Sequence, residues 1–105
     1  MDKNELLDKF SNTFWIEKDK MKMHFSKNNL ENFDKTFVEF EEMRNKVFDF
    51  IWKFTESNKT LSPDEISDIT NKYLSENYSW IDKKGIKSVQ NHILWMCWHE
   101  GIMEE

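Results

Sequence analysis

The stretch NLENFDKTFVEFEEMRNKVFDFIWKFTES (residues 29–57) predicts one long α-helix. Its apolar side chains recur at helical spacing. The members of this stripe are Leu30, Phe33, Phe37, Phe40, Val47, Phe48, Ile51 and Phe54. Charged side chains fall on the opposite face, and the apolar arc covers more than half of the helix circumference. We therefore expect a central helix that contacts at least two others.

Two further helices are predicted on the C-terminal side of this long helix. The motif SPDE at residues 62–65 combines a serine cap, a proline at the first helical position and a glutamate that can complete a capping box. The helix that starts there should end near Asn77. Asp82 can cap the next helix, which we expect to run to about Glu100, and Gly101 can terminate it.

The N-terminal segment has a less regular pattern. Helical spacing predicts a first helix over residues 3–16, and its apolar positions are Leu6, Leu7, Phe10 and Phe14. In residues 17–25, Met21, Met23 and Phe25 alternate with polar residues, which is strand spacing. A hairpin through residues 17–20 is one interpretation. We favour a helix that continues or restarts, because no glycine or Asn-Gly pair marks a turn.

These elements predict an all-α fold, a compact four-helix bundle with residues 1–105 as one helical domain and about 29–57 as its central helix. The chain has only two glycines and one proline, whereas strand-rich folds need more turn residues. A single cysteine excludes an internal disulfide. A signal peptide would have a charged N-terminal region followed by an apolar run, and the sequence shows no such pattern. We therefore expect a cytoplasmic protein. The bias towards Lys, Asn, Phe and Ile follows AT-rich codons, as in low-GC bacteria and their phages.

The closing run ILWMCWHE (residues 93–100) is too apolar for a solvated helix and too short to cross a membrane, which needs about 20 apolar residues. A helical wheel gives it a core face of Ile86, Val89, Ile93, Met96 and Cys97, with Leu94 at the edge. Trp95 falls on the opposite face with His92 and His99, and Trp98 lies on a flank. Either the N-terminal segment covers Trp95, which we favour, or Trp95 is an anchor for a partner, since Trp is enriched in binding hot spots.

Acidic residues are concentrated in the middle of the chain. The formal net charge is −5, which disfavours binding along a phosphate backbone and permits binding to a basic protein surface. Glu39 and Glu42 project towards solvent and could steer such a partner. Glu41 lies within the apolar arc, three residues before Arg44, the only arginine. We favour an ion pair between these two at the edge of the core over an exposed recognition pair.

A lysine cluster opens the last helix. Lys83, Lys84 and Lys87 could bind phosphate or an acidic partner, which gives a second hypothesis, a helical nucleic-acid-binding regulator. We favour a solvated cluster instead. The connector before these lysines, about residues 76–82, is longer than the turn of a helix-turn-helix motif.

Motifs for catalysis are missing from the sequence. There is no GxSxG elbow, and two glycines cannot form a P-loop or a dinucleotide-binding loop. Cys97 is expected in the core, where a thiol is inert. A zinc site needs three or four converging ligands, and His24 could join His92 and His99 only through the tertiary fold. We expect no catalytic residues, no metal and no cofactor, and keep a metal-dependent enzyme as a third hypothesis.

The first hypothesis for function is a small acidic, non-catalytic protein that binds and inhibits another protein. Immunity proteins, antitoxins and phage anti-CRISPR proteins share this profile, and their targets include nucleases and defence effectors with basic nucleic-acid channels. Glu39 and Glu42 would steer the partner. The predicted anchors are Trp95, Trp98, His92 and His99. A homodimer that packs through Trp95 is the remaining alternative, and we expect neither direct nucleic-acid binding nor membrane binding.

Overall fold

Five α-helices and one short hairpin form the part of the chain that the computed structural model describes, residues 2–55 and 60–104. In chain order the elements are α1 (Lys3–Phe10), β1 (Ser11–Asn12), β2 (Trp15–Ile16), α2 (Lys18–Lys27), α3 (Phe33–Trp52), a 3-10 turn (Lys53–Thr55), α4 (Pro63–Asn77) and α5 (Lys83–His99). The predicted all-α architecture is confirmed. The predicted number of helices, four, is wrong for these residues, because the N-terminal segment contains two helices separated by the hairpin.

The central helix is α3, which contacts α2, α4 and α5. Its fully buried apolar side chains are Phe40, Met43, Val47 and Ile51. The helix begins at Phe33 and not near residue 29, because Asn29 and Asn32 take left-handed backbone conformations with φ of 54° and 64°. Asparagine tolerates this region better than most residues, and a helix cannot continue through it. The predicted end at residue 57 is wrong for the described residues, because the α-helix ends at Trp52 and a 3-10 turn follows it; residues 56–57 lie outside the described part of the chain.

The predicted first helix over residues 3–16 is wrong beyond Phe10. There the chain leaves the helix and forms a two-stranded antiparallel hairpin. Two residue pairs set its register, Ser11 with Ile16 and Asn12 with Trp15. The Asn12 side chain accepts a hydrogen bond of 2.7 Å from the Phe14 N–H, which closes the turn. Phe14 therefore sits at a hairpin tip and not on a buried helix face.

Residues 17–25 are mainly helical, as we favoured, and the alternative hairpin through residues 17–20 is wrong. α2 begins at Lys18, which is a restart after the hairpin. Met21 and Phe25 lie four residues apart and are buried, whereas Met23 between them is exposed. The strand-like alternation in the sequence thus arises from an amphipathic helix that carries one additional, exposed methionine.

The start of α1 holds the connector between α4 and α5. The buried Asn4 amide donates to the Trp80 carbonyl at 2.9 Å, and its oxygen accepts from the Asp82 N–H at 3.0 Å. Gly85 allows this close approach, since a Cβ there would lie only 2.2 Å from the Asn4 side-chain oxygen. These contacts fix where α5 starts, and Asp82 caps it as predicted by accepting from the Gly85 N–H at 3.1 Å.

The predicted start of α4 and the predicted termination of α5 are also confirmed. Ser62 and Glu65 form the reciprocal capping box at the start of α4. Gly101 ends α5 in the left-handed conformation with φ of 76°. The Ile102 N–H then donates back to the Cys97 carbonyl at 3.0 Å, as in a Schellman motif. The C-terminal segment turns back onto the bundle and buries Ile102.

Candidate functional site

An aromatic surface forms where the hairpin meets α5. We call it the hairpin–α5 surface. In it, the ring of Trp95 packs against the rings of Phe14 and His99, and we include Trp98, which is exposed one helical turn after Trp95. The hairpin contributes Phe14 from its tip, and the last two turns of α5 contribute the other three side chains. The sequence separates these two parts by about eighty residues, and the packing of β1 on α5 brings them together.

Two buried rings hold the hairpin on α5. Trp15 is 4% exposed and His92 is 2% exposed, and their ring centroids lie 4.9 Å apart. The Nδ1 atom of His92 is 2.8 Å from the Thr13 carbonyl oxygen at the hairpin tip. Because a carbonyl oxygen only accepts, Nδ1 carries the proton of this hydrogen bond. The hairpin tip is therefore fixed by packing and by a directional bond.

The backbone at Trp15 is strained. Its φ is 101°, a value that favours glycine and is rare for a residue with a bulky side chain. Such a conformation costs roughly 1–3 kcal/mol and persists only where the surrounding structure holds it. The burial of the indole beneath the hairpin offsets that cost. The result is that Phe14, the preceding residue, points outwards.

Phe14 is the most exposed large apolar side chain among the described residues, with 71% of its surface accessible. Its ring meets the ring of Trp95 edge to face, with centroids 5.2 Å apart. Hairpin turns usually carry Asn, Asp or Gly at such positions. A phenylalanine at this tip buries little in the protein itself and presents its ring to solvent.

Trp95 is largely covered by its own chain. The ring of His92 lies on one side at 6.1 Å and the ring of His99 stacks at 5.0 Å, both within about 25° of parallel. Phe14 of the N-terminal segment covers an edge, as the interpretation that we favoured requires. Trp95 is consequently half-buried. It supports the surface and leaves only part of its indole for contact with a partner.

His92 does not lie on an exposed polar face, and that expectation is wrong. The helical wheel considers α5 alone, whereas the hairpin covers this side of the helix. Burial lowers the pKa of His92 below its usual value, and the Arg44 cation adds to this, while the hydrogen bond with Thr13 acts in the opposite direction. His92 is inaccessible to a partner while the hairpin is docked.

Trp98 and His99 lie at the surface, as the wheel predicts. Trp98 is 54% exposed and stands one helical turn after Trp95. His99 stacks on Trp95 and has the Glu100 carboxylate 3.7 Å from its Nδ1 atom. Together with Phe14, Trp98 offers the apolar contact area of the hairpin–α5 surface.

A second surface is the acidic face of α3, which we define by Asp34, Lys35, Val38, Glu39 and Glu42. These residues line an open groove of about 460 Å³. Glu39 is partly neutralised by Lys3, whose Nζ lies 2.7 Å from its carboxylate. Glu42 is exposed and makes no ion pair with the described residues. Of the two predicted steering residues, Glu42 therefore carries the more available charge.

Glu41 and Arg44 form the predicted ion pair at the edge of the core, with 2.8 Å between carboxylate and guanidinium. Both side chains are half-buried. The Arg44 guanidinium also lies 5.8 Å from the centroid of the Trp15 indole, within reach of a cation–π contact. This pair therefore connects α3 to the buried side of the hairpin.

The lysine cluster is partly engaged within the protein. Lys84 forms an ion pair with Glu5 of α1, and that carboxylate raises the pKa of Lys84. Lys83 and Lys87 are exposed. All three lysines are accessible to solvent, and Lys83 and Lys87 make no ion pair with the described residues, which fits a solvated cluster better than a phosphate-binding site.

Groups for metal or thiol chemistry do not come together in residues 2–55 and 60–104. These ranges contain no cluster of three or more His, Cys, Asp or Glu side chains placed to hold a metal ion. Cys97 is fully buried, and burial raises the pKa of its thiol to about 12. A thiol in that state is not a nucleophile near neutral pH.

A third surface feature, an apolar cleft, was missed from the sequence. Phe50, Phe54 and Tyr73 line a small cleft of about 180 Å³ between α3 and α4, with 4.9 Å between the centroids of Phe50 and Tyr73. Phe50 falls outside the apolar stripe predicted for the long helix, and an aromatic side chain off that stripe was the sequence signal for a second apolar contact. Mixed charges from Lys72 and Glu76 border the cleft.

The described residues contain no helix that combines the length and the apolarity needed to span a membrane. The sequence matches no protein-family model, and the searches of curated proteins and of solved structures also found no match.

Proposed function

We propose that this acidic protein is a non-catalytic inhibitor that binds another protein through the hairpin–α5 surface. The observation that carries the proposal is the 71% exposed ring of Phe14 on a hairpin tip held by the buried Trp15 and His92. Exposed apolar side chains that cluster on a surface mark interaction sites. Here Phe14 and Trp98 are the two that a partner can enclose.

The rigidity of the tip supports a binding role. Ordering a flexible loop on association costs free energy, and a loop that is already ordered avoids this cost. The hydrogen bond between His92 and Thr13 and the packing of Trp15 against His92 order the tip in the free protein. Phe14 and Trp98 then act as the central aromatic anchors, and Trp95 is the platform beneath Phe14.

The acidic face of α3 supports a basic target. A net charge of −5 attracts a positively charged protein, and Glu42 projects its charge into solvent. Attraction of this kind raises the association rate more than the affinity. The class of target that fits is a nuclease or defence effector with a basic nucleic-acid channel, which the protein would block as an immunity protein, an antitoxin or an anti-CRISPR-like inhibitor does.

The test begins with capture of the target and ends with inhibition. Tagged wild-type protein, a Phe14→Ser/Trp98→Ser double variant and a Met23→Ser control are used to capture proteins from the native host. Met23 is a matched control, because it is 58% exposed but lies on α2, outside the hairpin–α5 surface. A candidate target must be retained by wild type and by the control and lost by the double variant.

The captured target is then purified and titrated. We expect a saturable complex in calorimetry and a loss of the target's nuclease or effector activity as the wild-type protein is added. The double variant should restore activity at equal concentration. Binding that survives the double variant would place the interface elsewhere, and a stable complex with unchanged target activity would refute inhibition.

A further inference from the structure

We propose that His92 makes docking of the hairpin dependent on pH: the neutral imidazole holds the tip on α5, and acidification releases it. The inference concerns the chain alone and does not depend on a partner. Its structural basis is one buried ring that contacts the tip through a hydrogen bond to Thr13 and through packing against the tilted ring of Trp15. Release would also withdraw Phe14 from Trp95.

The hydrogen-bonding atoms of the ring define its protonation state. Nδ1–H donates to the Thr13 carbonyl at 2.8 Å, so Nε2 of the neutral ring carries a lone pair. Nε2 is buried and has no hydrogen-bond partner among the described residues. A second proton would be added there, where these residues offer no acceptor. Within residues 2–55 and 60–104, the only other buried side-chain nitrogen or oxygen without a partner is Nε1 of Trp15, which is itself a donor.

The charges around the ring oppose a second proton. The charged side chain that acts on His92 is Arg44 of α3, a cation that is paired with Glu41. The hairpin presents the uncharged Thr13 carbonyl and Trp15 indole, and on α5 the indole of Trp95 separates His92 from His99. Within the described part of the chain, no charged side chain of α1, α2 or α4 shifts the pKa of His92.

The hairpin is built so that it can separate from the bundle locally. Each strand has two residues, which is too short for a hairpin to be stable by itself. The positive φ of Trp15 is strain that release of the tip removes. In the docked state the buried contacts of Trp15 and His92 outweigh this strain. A charge on His92 weakens one of those contacts and shifts the balance.

The direction of the pH effect follows from the pKa of His92, which burial and Arg44 lower in the docked state. In the released state the ring is solvated and has the ordinary pKa of about 6.5. Docking is therefore fully favoured above that pH and is lost as the pH falls towards the lower docked pKa. Between the two values the docking constant should fall about tenfold per pH unit, because release takes up one proton.

The experiment is an NMR titration of the whole protein from pH 7.5 to 4.5. Docking is followed by the nuclear Overhauser effect between the Phe14 and Trp95 rings and by the amide shifts of the tip, and protonation by the ring carbon shifts of His92. His92→Gln keeps a donor for the Thr13 carbonyl but does not titrate. His24→Gln removes a histidine of α2 that lies outside the hairpin–α5 surface, and it serves as the matched control.

We expect the tip signals to change together with the His92 shifts below pH 6.5, while the amide signals of α3 and α4 keep the dispersion of the folded bundle. The change should persist in His24→Gln and disappear in His92→Gln. A His92 pKa at or above 6.5 in the wild-type protein would overturn the proposal even if His92→Gln does not fold. So would tip signals that do not respond as His92 titrates, or simultaneous loss of the α3 and α4 signals, which would mean global unfolding.

Discussion

The hairpin–α5 surface and the acidic face of α3 both present side chains to solvent, but they do so in different ways. On α3 the backbone is a regular helix, and Val38 and Glu42 are exposed because they lie opposite the buried stripe. At the hairpin tip the backbone is strained at Trp15, two rings are buried beneath it, and Phe14 is exposed on top. A helix face of this kind needs no special contacts, whereas the tip exists only through its contacts with α5.

This difference indicates which surface carries specific recognition. The charged side chains of a solvated helix face can pair with many different basic surfaces, and they mainly raise the association rate. A tip that is held by buried groups presents one shape and can enclose one complementary pocket. We therefore assign affinity to the hairpin–α5 surface and steering to the acidic face of α3, and the substitutions below separate the two.

Removal of the buried anchor should have the largest effect. Trp15→Ala deletes a buried indole and is expected to lower the free energy of unfolding by about 3–5 kcal/mol, measured by urea denaturation. Trp15→Gly should lower the free energy of unfolding by no more than Trp15→Ala, because glycine adopts a φ of 101° without strain. A cost below about 1 kcal/mol for either variant would show that the tip is not held by this ring.

Removal of the exposed ring should affect binding and leave stability unchanged. Phe14→Ser is expected to weaken the complex with the target by about 2 kcal/mol or more, roughly thirtyfold in Kd, mainly through faster dissociation. The free energy of unfolding should change by less than about 0.5 kcal/mol, since the ring buries little in the free protein. Surface plasmon resonance measures the rates, and Met23→Ser should match wild type. A Kd that Phe14→Ser leaves unchanged would move the anchor away from the hairpin.

Neutralisation of the acidic face should have the smallest effect. Glu42→Gln is expected to slow association about two- to fivefold at low ionic strength, with little change in dissociation. The effect should vanish near 0.5 M salt, where charges are screened. Asp68→Asn on α4 is a control, since it makes the same change in net charge at another exposed site. An equal effect from both would indicate a general charge effect and no role for this face.

Local signals in the sequence predicted much of the helical framework. The capping box at Ser62 and Glu65, the cap at Asp82 and the terminating Gly101 all lie where predicted. Each depends on residues within a few positions of one another, so the chemistry of the segment decides the outcome. The burial of Phe40, Val47 and Ile51 was predictable for the same reason, because helical periodicity is a local property. The stripe was wrong at Phe54, which is 46% exposed, and it omitted Met43, which is fully buried.

The hairpin was not predictable from the same kind of reasoning. Leu6, Leu7, Phe10 and Phe14 have helical spacing, and the hairpin lacks the usual glycine turn. What stabilises it is remote in sequence, namely the hydrogen bond between His92 and Thr13 and the packing of Trp15 against His92. Tertiary contacts of this kind override local propensity. The error in placing His92 has the same origin, since the wheel of α5 contains no information about the hairpin that covers it.

The sequence by itself therefore determined an all-α protein with a long central helix, an acidic surface and a buried thiol at Cys97, because periodicity, caps and charge are local or additive properties. Only the tertiary structure decided what happens to Trp95. It is enclosed by His92, His99 and Phe14, and the contact with Phe14 spans the length of the chain. The reason is physical: the strained backbone of Trp15 is stable only when its indole is buried against α5, and that burial is what places Phe14 at the surface.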